Sequence, residues 1–169
     1  YIEAVLKGIL IGSIAVFIAS TAQAKGLYTA EDRPQEWCLA QNIYYEARGS
    51  SQADMIAVAD VVINRVNDKR YPNTVCDVVR QGEKLANGQM KRNRCQFSWY
   101  CDGASDEPND ETAWHEARMN AEHAYYLYDI GYDMTEGSTH YHATSVSPNW
   151  RVTKTRVVII DDHIFYRWD

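Results

Sequence analysis

A chain of 169 residues, 46% of them hydrophobic, can bury one sizeable core, so a single domain is expected. A formal net charge of −6 and an isoelectric point near 5.3 argue against a nucleic-acid binder, which needs a basic stripe to neutralise phosphates. The 17 Lys and Arg residues are scattered. Their one short run, Lys91-Arg92-Asn93-Arg94, reads as a solvated loop.

In chain order, the first feature is an apolar run from Gly8 to Ala19, preceded by Lys7 and followed by Ala22-Gln23-Ala24 before Lys25. This layout predicts a signal peptide over residues 1–24, with an uncleaved membrane anchor as the alternative. Either way the rest of the chain is expected to be exported, to the periplasm or cell envelope, with membrane contact only through residues 1–24. Export makes the even set Cys38, Cys76, Cys95 and Cys101 readable as two disulfides. Three pairings are open. The closeness of Cys95 and Cys101 suits a local loop, which leaves Cys38 for Cys76. A zinc site lacks any C-x-x-C pair, and no metal or cofactor is expected.

Residues 25–35 read as a polar lead-in, with Pro34 suited to the first turn of a helix. The domain proper is assigned to residues 36–169. Trp37 to Arg48 predicts a helix stopped by Gly49. Ser51-Gln52-Ala53-Asp54 starts a second helix running to about Val66, apolar nearly all round and therefore central. A short third helix begins at Thr74 and stops near Gly82. Residues 82–109 read as long loops, of a length that is usually functional or stapled. A fourth helix spans Glu111 to Ile130, ended by Gly131, with Ala113, Ala117, Ala121 and Ala124 as a close-packing stripe. The period then changes to that of strands at Ser138–Thr144, Thr155–Ile160 and His163–Trp168, the last two a hairpin across Asp161-Asp162. Helices first and strands last predict an α+β domain with a small C-terminal antiparallel sheet.

Glu46 is the most informative residue of the first helix. It shares a face with Leu39 and Ile43, at i, i+4 and i+7. A carboxyl pressed against apolar neighbours loses hydration, which raises its pKa and suits a general acid near neutral pH. The alternative is a buried structural Glu paired with Arg48 or Arg65.

Several segments converge on one family. They are Cys38-Leu39-Ala40, Ile43-Tyr44-Tyr45-Glu46-Ala47-Arg48-Gly49, Ala57-Val58-Ala59-Asp60-Val61-Val62-Ile63-Asn64-Arg65-Val66 and Tyr71-Pro72-Asn73-Thr74-Val75-Cys76. Cys95-Gln96-Phe97-Ser98-Trp99, Cys101-Asp102-Gly103, Thr139-His140-Tyr141-His142-Ala143, Pro148-Asn149-Trp150 and His163-Ile164-Phe165-Tyr166 follow. In this order the chain resembles the SleB/CwlJ-type cell-wall hydrolases, the spore cortex-lytic family, in the cysteine-bearing form of Gram-negative bacteria and their phages. The resemblance implies a lytic-transglycosylase-like domain, peptidoglycan glycan strands as substrate, and Glu46 as the catalytic residue.

One-carboxylate chemistry is consistent with that resemblance, because no second acid shares an obvious helical face with Glu46, whereas ordinary glycosidases use two. Softer candidates for substrate binding are Arg48, for muramyl-peptide carboxylates, and Phe97, Trp99 and Trp150, for stacking on sugar rings. The aromatic segment from Cys95 to Gly103, Ser98 included, reads equally as a hydrophobic plug over the core or as the wall of a sugar-binding cleft. Tyr141 and His142 are candidates for orienting sugar hydroxyls or the acetamide, with Tyr141 on the opposite strand face from His140 and His142. Two rivals stand beside this reading. One is a zinc amidase using His140 and His142 with His115, His123 or His163; the other is a non-catalytic wall-binding domain. A monomer is expected.

Overall fold

The computed structural model describes residues 28–169; the expected leader, residues 1–24, lies outside them. No helix among the described residues is long and apolar enough to cross a membrane. The first helix, α1 (Pro34–Ala47), starts earlier than the apolar pattern indicates, with Pro34 in its first turn. Gly49 follows it at φ +84°, a left-handed conformation that ends the helix and that glycine adopts without strain. The lead-in is partly structural: Tyr28 is buried, its hydroxyl donates to the Glu36 carbonyl at 3.2 Å, and its own carbonyl accepts from the Arg118 guanidinium.

Helix α2 (Gln52–Val66) is the axis of the domain. Ser51 caps it by accepting the Asp54 amide at 3.2 Å. Every residue from Asp54 to Ile63 is buried, because α1, α3 (Val75–Val79) and α4 (Glu111–Asp129) all pack around it. Each aliphatic side chain so buried contributes about 1.5–3 kcal/mol. Thr74 and Asp110 cap α3 and α4 in the same way as Ser51. On α4, Ala117, Ala121 and Ala124 are buried and let the backbone approach closely, while Arg118 lies over the rings of Tyr28, Trp37 and Trp114.

Residues 82–109 contain more order than a loop. Strands β1 (Gly82–Lys84) and β2 (Met90–Cys95) pair antiparallel, and a single 3₁₀ turn covers Ser98–Cys101. The hairpin gave no periodic signal because Lys91 to Arg94 are all exposed, so neither face needed apolar side chains. Gly82 is required here: a Cβ would come within 2.8 Å of the Cys95 sulfur. The disulfides join Cys95 to Cys101 and Cys38 to Cys76, the second tying α1 to α3.

The C-terminal sheet has the order β3-β5-β4, from strands β3 (His140–Ala143), β4 (Thr155–Ile160) and β5 (His163–Arg167), all antiparallel. Trp150 sits in a 3₁₀ turn, Asn149–Thr153, where a simple turn is expected. The β4–β5 turn docks on the start of α2, with the Ser51 amide donating to the Asp161 carboxylate at 2.9 Å.

Sheet and helices are also joined through two acids. Asp133 accepts hydrogen bonds from Asn64, from the Thr135 amide and hydroxyl, and from the Gly137 amide; against burial, these hold its carboxyl low. Asp60, buried on α2, accepts the Met134 amide at 3.0 Å and faces the Asp133 charge. Burial, then the Asp133 charge, push Asp60 up to about 8. The folded state therefore holds a proton that the unfolded chain, near 3.8, releases. Stability from this proton is full below pH ~4 and is lost as pH rises through about 8. Asp60→Asn keeps one donor and one acceptor without the titration. Its stability relative to wild type is expected to rise between about pH 4 and 8 and to level off above that in urea melts. A difference that does not change with pH counts against a protonated Asp60.

Candidate active site

Glu46 lies in the last turn of α1, where the helix ends and its side chain reaches past the packed face of Leu39 and Ile43, both 0% exposed. Strand β3 meets it from the other side. Tyr141 donates its hydroxyl to Glu46 Oε2 at 2.9 Å. Burial raises the Glu46 pKa; the Tyr141 hydrogen bond and the charges of His163 and Arg65 pull it part of the way back. Tyr141 is itself pushed well above its ordinary value by burial and by the Glu46 charge, so it acts as a hydrogen-bond donor. Among the described residues Glu46 joins no ion pair, which removes the structural alternative of a salt bridge to Arg48 or Arg65.

Alternation along β3 sorts the neighbouring side chains. Tyr141 packs with His163 and Phe165 on the Glu46 side, ring centroids 5.1 and 5.6 Å away. His140 and His142 lie on the opposite face against Trp150, at 5.3 and 5.6 Å. His142 is buried. Its Nδ1 lies 2.9 Å from the Ala143 carbonyl, so it carries the proton, and Nε2 accepts from the Tyr166 hydroxyl at 3.0 Å. The structure therefore does not bring His142 or Trp150 to Glu46. Nor does it gather three histidines: His140 and His142 share one face, and His163 is on the other, held by Asp54.

The aromatic segment also differs from a cleft wall. Phe97 is 3% exposed, under the Arg65 guanidinium, and Trp99 is 8% exposed. The Trp99 ring is stacked on Tyr45 at 4.6 Å and its indole N–H donates to Asn42 at 3.3 Å. Both rings serve the core because α1 and α2 cover them. Ser98 is exposed at the start of the 3₁₀ turn. Arg48 is exposed but engaged, donating to the Tyr44 hydroxyl at 2.8 Å with its guanidinium over that ring.

Three residues near Glu46 take roles the sequence does not indicate: it offers Arg65 only as an ion-pair partner, His163 only as a zinc ligand and Asp54 only as part of a helix start. Buried Asp54 pairs with half-buried His163, and Arg65 donates Nε to the Thr139 carbonyl at 2.8 Å, holding the start of β3. One signal was available: Asp54 and Arg65 fall about three turns apart on one face of a largely apolar helix. Two cavities, of about 310 and 450 Å³, lie elsewhere; neither is lined by Glu46 or Tyr141.

Against known proteins, a model of the Cell Wall Hydrolase family matches residues 49–166, beginning just after Glu46. The chain is 33% identical over 129 residues to the spore cortex-lytic enzyme of Bacillus subtilis strain 168, covering 75% of this chain and 35% of the relative. It is 29% identical over 131 residues to that of Oceanobacillus iheyensis, covering 75% and 39%. It thus spans a little over a third of the length of these curated relatives. Among solved structures it is similar to the catalytic domain of the germination-specific lytic transglycosylase SleB from Bacillus anthracis, with a TM-score of 0.61 and 24% identity over 83% of this chain and 97% of that one. The catalytic domain of Bacillus cereus SleB gives 0.55 and 25%, over 79% and 91%. The α+β architecture is theirs. Because the family match runs from before α2 almost to the end of β5, the chain belongs to the Cell Wall Hydrolase family.

Proposed function

We propose that this protein is a peptidoglycan lytic transglycosylase that cleaves the glycosidic bond between N-acetylmuramic acid and N-acetylglucosamine, with Glu46 as its single general acid and base. The observation that carries the reading is a lone carboxyl at a helix end, raised by burial and aimed by the Tyr141 hydroxyl. Membership of the cell-wall hydrolase family supports the substrate class. Protonated Glu46 gives its proton to the glycosidic oxygen as that bond breaks. The resulting carboxylate then accepts the proton of the muramic acid C6 hydroxyl, whose oxygen closes onto C1 as an anhydro ring, and Glu46 regains its starting form. No water is consumed and no second carboxylate is needed. Desolvation makes the group basic enough to cycle.

This reading places the enzyme in the cell envelope, with residues 1–24 as signal peptide or anchor, residues 25–35 as a lead-in and residues 36–169 as the catalytic domain. The test is mass spectrometry of products from purified peptidoglycan. Anhydro-muropeptides are expected; reducing muramic ends or freed stem peptides count against the transglycosylase reading.

Tyr141→Phe tests the aim of the carboxyl. A hydrogen bond to a charged group is worth about 1.5–3 kcal/mol, so activity is expected to fall about ten- to a hundredfold. Because that bond lowers the Glu46 pKa, the high-pH limb of the activity profile is expected to move upward. A Phe variant with wild-type rate and profile would show that Tyr141 only packs.

A further inference from the structure

The Asp54–His163 pair is the strongest unexplained feature of the molecule. Asp54 is 0% exposed, and a buried carboxylate without a partner is costly. Both of its oxygens lie 2.9 Å from His163 Nδ1. An ionised carboxylate only accepts hydrogen bonds, so Nδ1 carries a proton and Nε2 is the nitrogen left to titrate. The anchoring is deliberate on both sides. Asp54 stands in the capped first turn of α2, and the β4–β5 turn that presents His163 is bonded to Ser51 of the same cap. The imidazole lies edge-on to Tyr141, 5.1 Å between ring centroids and 80° between planes.

We propose that Asp54 and His163 are a positioning pair for Glu46, in which Asp54 holds Nδ1 of His163 and so fixes the imidazole beside Tyr141, where its positive charge stabilises the Glu46 carboxylate as that residue gives up its proton. The inference rests on Glu46 being the acid–base group. His163 moves no proton in this scheme; it supplies a fixed charge where negative charge develops. The groups facing the pair are consistent with it. Glu46 on α1, Asp54 on α2 and Asp162 in the turn all favour the imidazolium, and the Asp54 hydrogen bond, the largest influence, raises the His163 pKa against burial. Glu46 in turn faces Tyr141, His163 and Arg65. Arg65 is a permanent charge, whereas the charge on His163 is conditional on Asp54.

The test compares kcat/KM against pH on purified peptidoglycan for wild type, Asp54→Asn and His163→Gln. His163→Gln removes the imidazolium and Asp54→Asn takes away its main support, so in both the high-pH limb is expected to move up, by on the order of one pH unit for His163→Gln, with the plateau lowered about tenfold. A pair that only holds the fold would scale the rate at every pH and leave the limb in place, and that result overturns the proposal. A second readout uses ¹⁵N-histidine NMR of the wild-type protein, which requires no variant to fold. His163 is expected to titrate above its ordinary 6.5 with Nδ1 protonated throughout; titration at or below 6.5 overturns the proposal. An active Glu46→Gln protein would instead remove the reading on which the pair rests. Inactive Glu46→Gln together with an unshifted Asp54→Asn profile removes the pair alone.

Discussion

Glu46→Gln protein is expected to fold, to melt at or above the wild-type temperature at neutral pH, and to lose at least the ~10²–10⁴-fold typical of a missing acid–base group. The amide keeps the length of the side chain and an oxygen to accept the Tyr141 hydroxyl, now 2.9 Å from Oε2. It cannot cycle a proton. Stability is spared because burial opposes the charged carboxylate, so an uncharged group removes a cost. Glu46→Asp is expected to be severely impaired as well, since one methylene withdraws the carboxyl from both Tyr141 and the glycosidic oxygen. Thermal melts followed by circular dichroism and turbidity clearing of cell walls check both parts. A folded Gln variant that clears walls at near wild-type rate would refute Glu46 as the catalytic group.

Loss of the Cys38–Cys76 bridge is expected to be the largest single blow to stability. It closes a separation of 38 residues, against 6 for Cys95–Cys101. The chain-entropy relation then gives about 4 kcal/mol for the first and about 2 kcal/mol for the second. Four kcal/mol is a large share of the ~5–15 kcal/mol that holds a domain together. The bridge also ties α1, which carries Glu46, to α3. Cys38→Ala/Cys76→Ala should therefore lower the melting temperature by roughly 10–20 °C, about twice the effect of Cys95→Ala/Cys101→Ala. Equal or reversed effects in calorimetry would show that the local bridge, beside the β1–β2 hairpin, carries more than its loop length implies.

Much of the framework was legible because its causes are local. Ser51 and Thr74 cap helices by accepting amides three residues downstream, and Gly49 and Gly131 end helices with positive φ. Alternation of period two separated Tyr141 from His140 and His142 before any partner strand was known. The β1–β2 hairpin was not legible, since its exposed Lys91–Arg94 segment carries no alternation to detect. Phe97 and Trp99 show the other limit. An aromatic between two cysteines suits a sugar platform and a core plug equally, and the choice fell to Tyr45 and Asn42, which occupy the ring face and the indole N–H of Trp99.

By itself the sequence determined the α+β class, the caps, the face of α1 on which Glu46 sits and the apolar pressure on its carboxyl, all of which depend on neighbours within a few turns of chain. Only the tertiary structure decided what Glu46 meets. Tyr141 is 95 residues away and His163 is 109 residues from Asp54; both arrive when the sheet closes on α1 and α2. A carboxyl's burial can be read from its own helix, but hydrogen bonds and fixed charges act over a few ångströms, so the partners that tune it appear only when distant segments are packed together.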